Sequence, residues 1–152
     1  MSCVESSTVG ALGRGVVAGL AGTAVMTAFQ KLVEMPLTGR ADSYAPATFA
    51  EKVLPVGPAT ARGRTQLNYA THFALGTMWG AAYGVAARSG LSGQRAVAVV
   101  FGAVYTADVA LNTALGLYKP WEWSASDWVI DVGEKLIQAA ATGAVYDRLL
   151  SD

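Results

Sequence analysis

The sequence predicts an all-helical polytopic membrane protein, a bundle of four transmembrane helices, and three observations carry that reading. Only 14% of the 152 residues are charged while 53% are hydrophobic, against about 25% charged in an ordinary soluble domain, so few charges remain to cover a water-facing surface. Four segments approach the roughly 20 apolar residues with which a helix spans a bilayer: Gly15 to Val33, Tyr69 to Ala87, Ala96 to Leu117 and Trp128 to Leu150. Between the last two lies Lys119-Pro120-Trp121-Glu122-Trp123, with Trp128 just beyond, and clustered tryptophans beside a proline suit the headgroup layer.

The chain is long enough for one domain. Met1 to Gly10 carries neither a basic run nor a cleavage site before the first apolar stretch, so that stretch is expected to be a retained helix rather than a signal peptide. From Glu34 to Asn68 runs a long loop whose Pro36, Pro46, Pro55 and Pro58 forbid continuous helix. Within it, Thr48 to Leu54 is a candidate for a short amphipathic helix lying on the membrane. The second and third spans are joined by the short glycine-bearing turn Ser89 to Gln94, which forces an antiparallel hairpin. The fourth span carries Asp131, Glu134 and Lys135, so it scores weakly on hydropathy, and an interfacial helix is the alternative. Flanking basic residues divide almost evenly, with Arg14, Arg88, Arg95 and Arg148 on the side of the termini and Arg40, Lys52, Arg62, Arg64 and Lys119 on the other. That balance assigns no orientation.

Several function classes are set aside by composition. Eleven basic and eleven acidic residues cancel, and no basic stripe with interleaved aromatics offers a nucleic acid surface. The single cysteine, Cys3, has no intramolecular disulfide partner and no zinc-motif neighbours. Gly10-Ala11-Leu12-Gly13-Arg14-Gly15 opens a membrane helix instead of following a strand, which argues against a nucleotide loop. No serine has the setting of a nucleophile elbow. The sequence requires no cofactor; a haem on His72 would need Met26, Met35, Met78 or another subunit as its second ligand.

Small residues recur at four-residue spacing, Gly15 and Gly19 in the first helix and Gly76, Gly80 and Gly84 in the second, and such positions let helix backbones approach closely in lipid. They imply tight packing within one subunit, or a homo-oligomeric or partner-protein interface.

Ionisable groups inside a span cost about 2.5 to 3.5 kcal/mol each near its centre, so each asks for a partner or a hydrated cavity. Asp108 sits mid-span with Asn112 one turn along the same face. On the fourth helix Asp127, Asp131, Glu134, Lys135 and Gln138 follow helical spacing, an inward polar stripe opposed to Ile130, Val132, Leu136 and Ile137. The topology brings Gln30 and Glu34, His72, Asp108 and Asn112, and Asp131 and Glu134 to one half of the bundle, a polar vestibule with Asp108 at its floor. Three roles fit this cluster. In a structural network, Asp131 pairs with Lys135, His72 donates to a carboxylate and Asp108 bonds Asn112. On a transport path, His72, Asp108, Asn112, Asp131 and Glu134 exchange protons or bind a cation. In a membrane enzyme, His72, Asp108, Asp131 and Glu134 ligate a divalent metal, although the paired Glu-x-x-His of di-iron bundles is missing.

Four features then stand in order along the chain: an Ala-Gly-rich first span ending in Glu34-Met35-Pro36-Leu37; a His-led glycine-rich second span, His72 to Gly84; Asp108 eight positions before Gly116-Leu117-Tyr118-Lys119-Pro120; and Trp128, Gly133 and Glu134 opening the last span. In these the chain resembles the YagU-like family of bacterial inner-membrane proteins over most of its length. The resemblance implies four spans and a bacterial cytoplasmic membrane but no reaction. The sequence departs from the family pattern with Asp108 and Glu134 where histidines occur, and with a shorter long loop, which keeps proton-binding capacity but puts any fixed ligand set in doubt. The expected function is small ion, proton or solute transport, with an accessory subunit of a larger membrane complex as the alternative.

Overall fold

A computed structural model describes residues 3–150, and every regular element among them is helical. Helix α1, Cys3–Phe29, runs through a π turn, Gln30–Glu34, into the short α2, Met35–Thr38. Pro36 lies in the first turn of α2. A proline inside a continuing helix lacks a donor and crowds the carbonyl one turn back, and the wider ladder of the π turn lets the chain pass that point without breaking. Gly39, at φ +70°, ends it.

Helix α3, Ala45–Val53, is the amphipathic element expected within the long loop, but its apolar face is turned to protein, with Ala47 and Ala50 buried. It is pinned to the first turns of α4, Ala61–Arg88. The Ala47 amide, an orphan donor of the first turn, donates to Asn68 Oδ1 at 3.0 Å, and Asn68 Nδ2 donates to the Ser43 carbonyl at 3.0 Å. Arg64 grips Glu51 through Nε and Nη2 at 2.9 and 3.3 Å.

The second long helix therefore begins at Ala61 rather than Tyr69, because Thr60 caps it by accepting the Gly63 amide at 3.0 Å. Helix α5 is Gly93–Ala114 and stops short of Leu117. Gly116 turns left-handed at φ +73°, and the Leu117 and Tyr118 amides fold back onto the Asn112 carbonyl at 2.8 and 3.1 Å. Helix α6, Ala125–Val145, starts ahead of Trp128 at a capping box in which the Ser124 hydroxyl accepts the Asp127 amide while Asp127 Oδ2 accepts the Ser124 amide at 2.9 Å and hydroxyl at 2.7 Å. Those bonds hold the Asp127 carboxyl below the usual carboxylate range. Asp127 is thus a cap at the bundle's end, loosely paired with Arg40 at 3.7 Å, and not a member of the inward stripe.

The four long helices run antiparallel to their neighbours, and α1 is the hub, meeting α4 most extensively and α6 next. All five glycines noted in the sequence lie in the α1–α4 crossing. A Cβ on Gly15 would strike the Gly80 carbonyl, one on Gly80 the Gly15 carbonyl, one on Gly19 the Gly76 carbonyl, and one on Gly84 would sit 2.7 Å from the Ala11 carbonyl. The glycine seam is therefore occupied within the chain and offers nothing to a second copy. Beyond it, toward the α4–α5 turn, Ala18, Tyr83, Ala86, Ala96, Val100 and Tyr146 close the core.

Two helical stretches, Thr8–Thr38 and Gly93–Ala114, are long and apolar enough to cross a membrane, and only 28% and 17% of their apolar windows are buried. Helices α4 and α6 fall short on hydropathy, α4 through its glycines, aromatic residues and His72, α6 through Asp131, Glu134 and Lys135.

Gly80→Ala should lower stability by about 1–3 kcal/mol, the usual cost of overpacking. Gly102, with open space at its Cβ position, should be neutral or stabilised by alanine through helix propensity. Thermal or denaturant unfolding of both variants in detergent checks the pair, and equal behaviour would contradict the seam.

Candidate functional site: a polar cavity enclosed by the long helices

The helices that meet tightly at the glycine seam diverge toward α2 and α3 and enclose a cavity of about 190 Å³. Every polar position expected at the vestibule lies on its wall, Gln30 and Glu34 from the π turn that continues α1, His72 from α4, Asp108 and Asn112 from α5, and Asp131 and Glu134 from α6, joined by Lys135 and Gln138 of the polar stripe on α6. The lining on α4 extends from Asn68 to Trp79, about 16 Å along the axis at 1.5 Å per residue. Asp108 is therefore not the floor. Met26, Trp79 and Gln138, at 1%, 4% and 2% exposure, lie further in.

The expected Asp108–Asn112 bond forms, while the other side chains engage different partners from those the sequence suggested. His72 Nε2 meets the Thr27 hydroxyl at 3.0 Å instead of a carboxylate. With the Thr27 proton on the Thr23 carbonyl at 2.8 Å, the imidazole is the donor, through Nε2. Glu134 Oε2 accepts from Gln30 Nε2 at 2.7 Å, and Asp131 Oδ2 accepts from the Tyr105 hydroxyl at 2.7 Å. The expected Asp131–Lys135 ion pair does not form, because Tyr105 from α5 reaches the carboxylate first; among the described residues Lys135 makes no salt bridge. Asn112 Nδ2 donates to both the carbonyl and Oδ1 of Asp108, at 2.9 and 3.1 Å, leaving Asp108 Oδ2 buried without a partner. Deeper still, Gln138 Nε2 donates to Thr23 Oγ1 at 2.9 Å.

Near the mouth, Glu34 takes the Thr38 hydroxyl at 2.8 Å, and Lys31 pairs with Asp42 beside the Tyr69 ring. Tyr118 lines the mouth, and burial pushes its phenol well above the ordinary value, so it stays neutral. The aromatic stretch continues outside, with Trp123 against Tyr118 at 5.4 Å and against Trp128 at 4.8 Å, and Trp121 72% exposed.

The metal reading does not survive this geometry. His72, Asp108, Asp131 and Glu134 each turn to a separate partner, and among the described residues no three His, Cys, Asp or Glu side chains form a metal-holding group. Haem fares no better. Met26 and Met35 line the cavity with His72 while Met78 is 60% exposed on the outer face of α4, but the cavity of about 190 Å³ is smaller than the roughly 300 Å³ at which drug-sized pockets begin. Ile130, expected opposite the polar stripe, lines the cavity too.

Sequence reasoning passed over Asn68, Tyr105, Thr23 and Thr27. The signal was present in helical spacing. Asn68, His72 and Gly76 share one face of α4, Tyr105, Asp108 and Asn112 one face of α5, and Thr23, Thr27, Gln30 and Glu34 one face of the first helix.

No family model matches the chain, and neither does any curated protein or solved structure.

Thr23→Val keeps the shape of the fully buried Thr23 but strips the Gln138 amide of its acceptor, and should destabilise by about 1–3 kcal/mol, the cost of a buried unpaired donor. Chemical denaturation in detergent measures it; a change within error would show that the Thr23–Gln138 bond contributes nothing.

Proposed function

We propose that all four long helices cross a membrane, in keeping with a bacterial cytoplasmic membrane protein, and that the cavity takes up a proton or small cation from one face for transport. The observation that carries this reading is the convergence of nine polar side chains, from all four long helices, on one cavity. In lipid each ionisable group among them is costly and marks a pathway or binding function by default.

The distribution of apolar residues supports the four-span part. Each long helix exposes large apolar side chains along its length: Val17 and Val25 on α1, Met78 and Val85 on α4, Val99 and Leu111 on α5, Val129 and Leu136 on α6. The buried set meanwhile includes Thr23, Asn68, Asn112, Gln138 and Thr142. A protein with polar groups inside and valines outside suits hydrocarbon surroundings. Trp121, Trp123 and Trp128 beside the mouth suit its headgroup layer.

The far half of the bundle is packed shut by the glycine seam and by Tyr83, Val100 and Tyr146, so the cavity opens at one end only. That favours a carrier, which exposes its site to one face at a time, over an open pore.

In proteoliposomes, Asp108→Asn should cut a pH- or cation-driven flux at least tenfold while the variant still assembles as a monodisperse species. A measurable wild-type flux left unchanged by Asp108→Asn would remove that residue from the path. No flux at all, with co-purification of a larger complex in mild detergent, would favour an accessory subunit.

A further inference from the structure

The buried cavity atoms that the hydrogen-bond directions leave without a partner are acceptors. The Thr23 hydroxyl has one proton and gives it to the Gly19 carbonyl at 2.8 Å. Thr23 Oγ1 can then only accept from Gln138, which forces the amide to turn its NH2 toward Thr23 and leaves Oε1 as the free end. Gln138 is 2% exposed, it lines the cavity, and Oε1 has no partner. The second buried cavity oxygen without a partner, Asp108 Oδ2, is also an acceptor. In its uncharged form a His72 ring that donates through Nε2 to Thr27 has only an acceptor left at Nδ1.

An occupant that satisfies these groups must supply N–H or O–H donors. Charge points the same way, because the cavity lining carries five carboxylates, Glu34, Asp42, Asp108, Asp131 and Glu134, against three basic groups, Lys31, Arg40 and Lys135. A metal ion is a poor match, since it requires four or more ligands gathered around one point, and no three acidic or imidazole groups gather here among the described residues. An ammonium brings its own N–H donors and takes one acceptor for each, about 2.9 Å from its nitrogen. The inner walls of Met26, Leu75 and Trp79 are apolar and fit a short alkyl group. A dry cavity near 150 Å³ holds a molecule the size of benzene, so about 190 Å³ accommodates roughly half a dozen heavy atoms.

We propose that the inner part of the cavity binds a small primary alkylammonium ion, with Gln138 Oε1 accepting from its N–H group and the Asp108 carboxylate serving as second acceptor and counter-charge. This deepens the cation reading of the same cavity and rests on it for physiological meaning. Gln138 becomes a binding residue, and Thr23 a positioning residue that sets which end of the amide faces the ligand.

The test is calorimetric titration of n-propylammonium chloride into the nanodisc-embedded protein, with tetramethylammonium, which has no N–H, and sodium as comparisons. Saturable propylammonium binding is expected, weakened at least tenfold by Gln138→Leu and by Asp108→Asn and not competed by tetramethylammonium. Absence of saturable binding, equal binding of tetramethylammonium, or unchanged affinity in Gln138→Leu would overturn the proposal. Should Gln138→Leu fail to fold, the tetramethylammonium comparison on the unaltered protein and Asp108→Asn still decide. Binding needs no flux, so amine binding without transport overturns the carrier reading alone, and flux without amine binding overturns this assignment alone.

Discussion

The close approach of the α1 and α4 backbones is the constraint on which the other contacts depend. In the membrane setting proposed above, lipid tails are as apolar as leucine, so helices gain little from burying apolar side chains against each other and rely on dispersion and hydrogen bonds at short range. Glycines at Gly15, Gly19, Gly76, Gly80 and Gly84 permit that range, because a Cβ at these positions would collide with side-chain or backbone atoms of the facing helix. The same crossing sets Thr23 against Gly76, where a Cβ would meet the threonine side chain, and sets Gly22 against Thr142 of α6. One narrow seam thereby fixes the register of α1 on two neighbours.

From that register the polar chain follows. Thr23 hands its proton to its own helix and accepts Gln138 from α6; Thr27, one turn on, does the same and accepts His72 from α4. A threonine that bonds its own helix presents only a lone pair outward, so α1 acts as a ladder of acceptors that orients donors on both neighbours. This direction of bonding leaves Gln138 Oε1 on the cavity wall without a donor, and so connects the packing of the bundle to the chemistry of the cavity. The tight half is closed by its glycines and tyrosines, while the open half collects polar groups under α2 and α3, and Arg64, Asn68 and Tyr44 fasten α3 and the residues before it to α4.

Much of this was legible in the residues themselves. Glycines four apart announce a close crossing whatever their partner, and acids at helical spacing on α5 and α6 announce one inward face. Caps displaced the ends. Thr60 and Ser124 start helices ahead of their apolar stretches, and Gly116 stops α5 before its apolar stretch ends. Side-chain partners were the least legible part, because a carboxylate on one helix face has a lysine one turn along and a tyrosine from the next helix equally available in sequence. Asp131 chose Tyr105 and His72 chose Thr27 only once the helix separations were set.

By itself, the sequence determined the helical class, the short α4–α5 hairpin, the glycine faces and the gathering of Gln30, Glu34, His72, Asp108, Asn112, Asp131, Glu134, Lys135 and Gln138 toward one half, since periodicity and connection length are local properties of a chain. Only the tertiary structure decided that the five glycines face one another within the chain, that the cavity's inner end is Gln138 and Trp79, and that its unmet groups are acceptors. Those outcomes depend on which helix a face meets and on where each hydroxyl sends its single proton, and neither is encoded in spacing along one strand of sequence.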